Sequence, residues 1–236
     1  MSWMVWLLLA RVPGDPAEPL TLALMPNPPC QVQQMGAIGL EQTTIAYADG
    51  VPTQLRTLET AGDPSGSPPH VYDLTWEQGR LTRIDHWQDA SDGRIPQDTT
   101  HLKWAGERLQ SVTNVAAHDG RTTVREVSWE GGRPTRVVDR FGERVDSVVA
   151  FTWSADRPVS AHGMDAEGGT LFRLRYTFDE QRLVGVATEQ WGRTWTRSWN
   201  WQGDRLSGLT AEDATFSVQL TPCASPTAPA SATSPS

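Results

Sequence analysis

Tyr72-Asp73-Leu74-Thr75-Trp76-Glu77-Gln78-Gly79-Arg80-Leu81-Thr82-Arg83-Ile84 is the stretch on which the fold turns. Tyr72, Leu74 and Trp76 alternate with polar residues, so in an extended chain they share one face. Glu77-Gln78-Gly79 then offers a short three-residue loop whose glycine can take the left-handed conformation of a tight hairpin. The return run sets Leu81 and Ile84 three positions apart, which breaks period-two alternation and predicts a bulge or bend.

The same unit recurs outward from this hairpin. Leu102-Lys103-Trp104 leads to Arg108-Leu109, Val127-Ser128-Trp129 to Arg133-Pro134, and Phe151-Thr152-Trp153 to Arg157-Pro158. Tyr176-Thr177-Phe178 leads to Arg182-Leu183, and Trp199-Asn200-Trp201 to Arg205-Leu206. Each copy adds an apolar residue three positions on: Val112, Val137, Ala161, Val186 and Leu209. A degenerate earlier copy reads Ile45-Ala46-Tyr47, Val51-Pro52 and Leu55, with valine in the arginine position. The aromatic anchors lie 23 to 29 residues apart, room for two strands and two turns. Glycines 93, 120, 142, 168 and 192 mark turns at the opposite edge.

The expected class is therefore all-β: a repetitive antiparallel hairpin meander of about fourteen strands, curled or spiralling. A β-propeller-like arrangement is the rival, but blades of four strands and ~40 residues divide seven hairpins badly. A membrane barrel fits less well, because Arg125, Arg173 and Arg197 interrupt strands that would face lipid or a narrow lumen.

Residues 45–221 are read as the repeat domain, 1–44 as an export signal and Pro-rich segment, and 222–236 as an Ala/Ser/Pro/Thr tail. The tail cannot bury enough apolar area to fold. Met1 to Ala10 has the apolar character of a secretory signal but no basic residue before it, so a short signal, a misassigned start and a plain apolar segment stay open. The expected location is secreted, periplasmic or cell-surface. Cys30 and Cys223 lie just outside the repeats and would clasp the array if oxidised; two unpaired thiols is the alternative.

A net charge of −8 and a pI near 5.1 exclude nucleic acid as a partner. No apolar run approaches the ~20 residues of a transmembrane helix. A protein or a glycan is the remaining partner class.

Tyr176-Thr177-Phe178-Asp179-Glu180-Gln181-Arg182-Leu183 and Gln78-Gly79-Arg80-Leu81 resemble the YD repeats of RHS-type proteins, over roughly residues 45 to 211. Here the second aromatic is usually Trp where the family has Tyr, and the loop is one residue shorter. The resemblance implies long antiparallel sheets that form shells or surface modules, and hence a scaffold or binding role. The flanks are too short to encode a cargo domain.

The repeated Arg80, Arg108, Arg133, Arg157, Arg182 and Arg205 could form an anion-gripping ladder. The favoured reading is structural: each stacks on an aromatic or bonds turn carbonyls. The repeated Trp76, Trp104, Trp129, Trp153, Phe178 and Trp201 are read in the same way. Trp87, Trp191 and Trp195 fall outside the repeated position and are the candidates for an exposed sugar-binding platform, with covering a sheet edge as the alternative. Asp89, Asp92 and Asp98 depart from calcium-loop spacing and are read as turn residues. The singly spaced His70, His86, His101, His118 and His162 suggest neither a zinc triad nor a catalytic base. No GxSxG, HExxH, GxGxxG or P-loop motif occurs, so no catalytic residue, metal site or cofactor is assigned. The expectation is a non-enzymatic scaffold or interaction module, with carbohydrate binding as the alternative and glycoside cleavage a distant third.

Overall fold

The computed structural model describes residues 29–36, 39–59, 68–180, 182–203, 205–211 and 217–223. The export-signal reading of Met1 to Ala10 and the tail from residue 224 lie outside the described residues. Sixteen strands follow one another: β1 (Gln31–Gly36), β2 (Gly39–Ala48), β3 (Val51–Glu59), β4 (His70–Glu77), β5 (Arg80–Ala90), β6 (Gly93–Ala105), β7 (Arg108–Ala116) and β8 (Thr122–Glu130) come first. They continue as β9 (Arg133–Phe141), β10 (Arg144–Ser154), β11 (Arg157–Asp165), β12 (Thr170–Asp179), β13 (Arg182–Gln190), β14 (Arg193–Gln202), β15 (Arg205–Ala211) and β16 (Ser217–Thr221).

Every strand pairs with its sequence neighbours, and β1 pairs antiparallel with β16 from Gln31↔Thr221 to Met35↔Ser217, closing a barrel. The expectation of an open, curled sheet of about fourteen strands is corrected on both counts. The seven hairpins do supply fourteen strands, β2 to β15. Two more form from the flanks, one before residue 45 and one after the last copy, and they join the free edges. Closure removes the unpaired edges that an open meander would expose. The propeller is also overturned, since a single continuous sheet in consecutive order contains no blades.

The register shift predicted between Leu81 and Ile84 occurs in all seven hairpins, always at the aromatic: between Ala46/Tyr47, Thr75/Trp76, Lys103/Trp104, Ser128/Trp129, Thr152/Trp153, Thr177/Phe178 and Asn200/Trp201. A bulge adds local bend and twist, and seven in register curve the sheet towards closure. The hydroxyl of the extra residue often holds the bulge shut. Thr53, Thr82, Thr135 and Ser207 each donate to the carbonyl across the strand pair, on Ala46, Thr75, Ser128 and Asn200. The hairpin loop is shorter than read from sequence. Glu77 pairs with Arg80, leaving only Gln78 and Gly79 in the turn, both at positive φ.

Burial tells the two faces of the barrel apart. Leu74, Ile84, Leu102, Val112, Val127, Leu174, Val186, Trp199 and Leu209 are buried, while their strand neighbours Arg83, His101, Lys103, Glu126, Arg136, Arg173, Arg175 and Asn200 are exposed. Side chains converge inside a closed barrel and diverge outside it, so the buried apolar set faces inward. A membrane barrel carries the opposite pattern, with its apolar band outside.

Candidate functional site

The strand connections divide the barrel into two rims. The near rim holds the short turns of the seven repeated hairpins; the far rim holds the connections between copies.

At the near rim the repeated aromatics form a lattice. The indole nitrogens of Trp76, Trp104, Trp129, Trp153 and Trp201 donate to the carbonyls of Pro52, Leu81, Leu109, Pro134 and Leu183, at 2.7 to 2.9 Å. Each acceptor is the Leu or Pro at the second position of the return strand of the preceding copy. Tyr47 extends the lattice to the segment that leads into β1, its hydroxyl donating to the Pro29 carbonyl at 2.9 Å, and burial pushes that phenol up to about 12. Phe178 has no donor; instead the Arg157 guanidinium lies over its ring at 5.9 Å. The arginines reach forward: Arg80 pairs with Glu107 and Arg133 with Asp156, each acid being the residue just before the next copy's arginine. Those acids are 88% and 92% exposed, so the pairs lie in water and contribute under ~1 kcal/mol each.

The inner wall towards the far rim is different in every copy. His86 Nδ1 lies 2.8 Å from an Asp98 carboxylate oxygen, and His86 Nε2 lies 2.8 Å from His70 Nδ1. A carboxylate only accepts, so His86 donates through Nδ1; with the ring neutral its Nε2 accepts from His70, and with it protonated the direction reverses. Tyr72 stacks on the His86 ring at 4.3 Å. Asn114 donates to the other oxygen of Asp98 and to the Thr100 hydroxyl. Around the wall, Arg125 grips Asp139 with two nitrogens at 2.7 and 3.0 Å, and Ser147 donates to the same carboxylate. Seven successive strands, β4 to β10, thus carry a polar arc that faces inward.

This arc is what sequence reasoning missed. Sequence spacing leaves His70 and His86 as single residues and groups Asp98 with the turn acids Asp89 and Asp92, whereas cross-strand register brings the three into one chain. The signal lay in period two: each sits an even number of residues from a buried apolar anchor, at Leu74, Ile84 and Leu102. The arrangement contains the orienting half of an acid–base relay, Asp98 holding His86, but the imidazole of His70 occupies the place a nucleophile would need. Among the described residues no group of three or more His, Cys, Asp or Glu is arranged to hold a metal ion.

The three aromatic candidates do not form one platform. Trp87 lies on β5 and Trp191 at the β13–β14 turn, eight strand positions apart in a ring of sixteen, on opposite sides of the barrel. Trp195 is half-buried and pairs with the buried Thr188, so it shares the inward face. Trp87 is half-buried on the outer face, beside the inward-facing His86, and covers the buried Val71 with which it pairs. Trp191 is 85% exposed. Of the three acids weighed for calcium, Asp89 pairs with Arg56 and Arg94 on the outer face, while Asp98 points inward to His86. The hydrogen bond from Arg56 holds the Asp89 carboxyl below its usual range. Cys30 and Cys223 form a disulfide beside the β1–β16 pair, clasping the seam across 193 residues of sequence.

No family model matches the chain, and no curated protein matches it. Among solved structures it is similar to a porin-like protein from Bacteroides uniformis, with 11% identity over 76% of this chain and a TM-score of 0.40. It is also similar to a porin-like protein from Bacteroides vulgatus, with 9% identity, a TM-score of 0.43, and coverage of 82% of this chain and 97% of that one. A protein of unknown function from Bacteroides fragilis matches with 12% identity over 66% of this chain and 94% of that one, at a TM-score of 0.26. The chain spans 62% of the length of the first of these structures. At these scores they bear on neither the site nor its use, and the barrel rests on the strand pairing of the chain itself.

Proposed function

We propose that the chain is an extracytoplasmic, YD-like repeat barrel that acts as a structural or protein-interaction module, is not an enzyme, and uses its far rim as the working surface. The observation that carries this reading is the division between the rims. Side chains present in every copy are spent on joining copy to copy, while the side chains that differ gather at the other end. Repeat architectures generally place their binding residues where the units vary. The disulfide favours an oxidising compartment, and the charged outer face favours water over lipid around the barrel.

A photo-crosslinking amino acid placed at Asp92, Glu143 or Glu167 on the far rim, and at Gln78, Glu107 or Asp156 on the near rim, tests this in the full chain within its producing cell. Adducts at the far-rim positions are expected. Adducts confined to the near rim, or none at any position, would overturn the assignment. A second reading, carbohydrate recognition, is favoured by the exposure of Trp191.

A further inference from the structure

Trp191 occupies a position that neither backbone nor packing recommends. The turn Trp191-Gly192 is closed by the pair Gln190↔Arg193, and its two residues have φ of 50° and 72°. Positive φ at both positions is the requirement of a type I′ turn, which favours Asn-Gly, Asp-Gly or Gly-Gly. Elsewhere in this barrel the same paired angles are occupied by Asp49-Gly50, Gln78-Gly79 and Gly131-Gly132. A bulky aromatic in the left-handed region is a true outlier. Burial does not compensate for it, because the ring is almost wholly in solvent. A side chain disfavoured by its backbone and unrewarded by packing points to use.

The surroundings narrow the ligand. On the outer face of the adjoining strands Arg173 and Glu189, the latter two residues before Trp191 in sequence, form a loose, half-exposed pair at 3.7 Å. A flat, exposed apolar ring with a guanidinium–carboxylate pair on the neighbouring strands suits a pyranose, whose C–H face would lie on the indole while its hydroxyls reach for the polar groups. A protein hot spot draws on a surrounding apolar cluster. Here the other exposed large hydrophobics, such as Phe141, Ile95 and Met35, stand on other strands. A lipid surface would meet the Arg173–Glu189 pair beside the point of insertion.

We propose that Trp191, with Arg173 and Glu189, forms a contact site for neutral hexopyranose units of a polysaccharide. This rests on the reading of the far rim as the working surface and specifies the carbohydrate reading of it. The test uses the full oxidised chain, titrated with cellohexaose, maltohexaose and chitohexaose at millimolar concentration while the Trp191 indole N–H resonance is followed.

At least one oligosaccharide should shift that resonance. Trp191→Asn should lower affinity for it by ~10-fold or more, yet raise Tm by ~2 °C or more because asparagine suits the turn. Trp191→Tyr, which keeps an aromatic face, should retain most of the binding. No shift with any of the three sugars, undiminished binding by Trp191→Asn, or a lowered Tm in that variant would each overturn the proposal. So would attachment to phosphatidylcholine vesicles that Trp191→Asn abolishes in the absence of any sugar response. If far-rim crosslinks persist while no sugar binds, only the sugar falls; if both fail, the working-surface reading falls with it.

Discussion

The two rims of the barrel are made from the same strands but hold together by different means. At the near rim one solution is repeated: an indole donates to the carbonyl at the second position of the previous return strand, and a bulge beside it turns the sheet. The energy is shared among many equivalent contacts. At the far rim the contacts are singular, with His86 held between Asp98 and His70, and Arg125 clamped to Asp139. Repetition builds the ring, and the departures from it create surfaces that differ from strand to strand. The comparison also explains why the conspicuous tryptophans are not the interesting ones. Their N–H groups are engaged by the backbone of a neighbouring copy.

Substitutions can break each side of this comparison. The largest effect is expected at the near rim. Trp104→Ala removes a ring packed against the core and its bond to the Leu81 carbonyl, and should lower unfolding free energy by about 3 kcal/mol or more. Trp104→Phe should cost only about 1 kcal/mol, since Phe178 already serves without a donor. Urea denaturation of the two variants separates ring from hydrogen bond.

At the far rim, Arg125→Ala leaves Asp139 with its serine partner but no counter-charge. Arg125 is only 12% exposed, so a loss of about 2 kcal/mol is expected by the same measurement. Gly208→Ala tests how β16 is seated beside the last copy, because a Cβ there would run into the Val218 backbone carbonyl. About 1 to 3 kcal/mol should be lost, with faster amide exchange in β15 and β16 as the local sign. Arg80→Ala, although this arginine recurs in six of the seven copies, should change stability by less than ~1 kcal/mol, because Glu107 is solvated.

The smallest effect concerns pH. The Tyr47 phenol ionises at about 12 in the folded chain against an ordinary 10.0. Its neutral form is thus favoured by folding, and its contribution is whole below about pH 10 and lost as pH rises through about 12. Thermal scans across that window should show falling Tm, with a shallower fall in Tyr47→Phe. A residual slope should remain, because burial raises the Tyr176 phenol as well.

Much of the near rim was legible because it is local. Aromatic, turn and Arg-Leu lie within six residues of one another in Trp76 to Leu81, and the three-residue step from Leu81 to Ile84 announced the bulge before any pairing was known. Closure was not legible. Val32 and Val218 line the seam, yet β1 and β16 carry no copy of the repeat, and only their pairing reveals them as the last two strands. The polar arc escaped for a similar reason. His70, His86 and Asp98 are separated by 16 and 12 residues, and register alone decides that they meet. Trp191 was singled out by its place outside the repeat, but its exposure and its positive φ belong to the folded turn.

The central claim is that a linear row of hairpins closes on itself, and the Cys30–Cys223 pair reports on it most directly. These residues are separated by 193 positions in sequence and 4.8 Å between Cα atoms, a distance that requires β1 to sit beside β16. Peptide mapping by mass spectrometry of the purified, unreduced full chain, with thiol titration in parallel, should find one intramolecular Cys30–Cys223 link and no titratable thiol until reductant is added. A folded monomer with two free thiols, or with the cysteines joined only between molecules, would contradict the closed barrel.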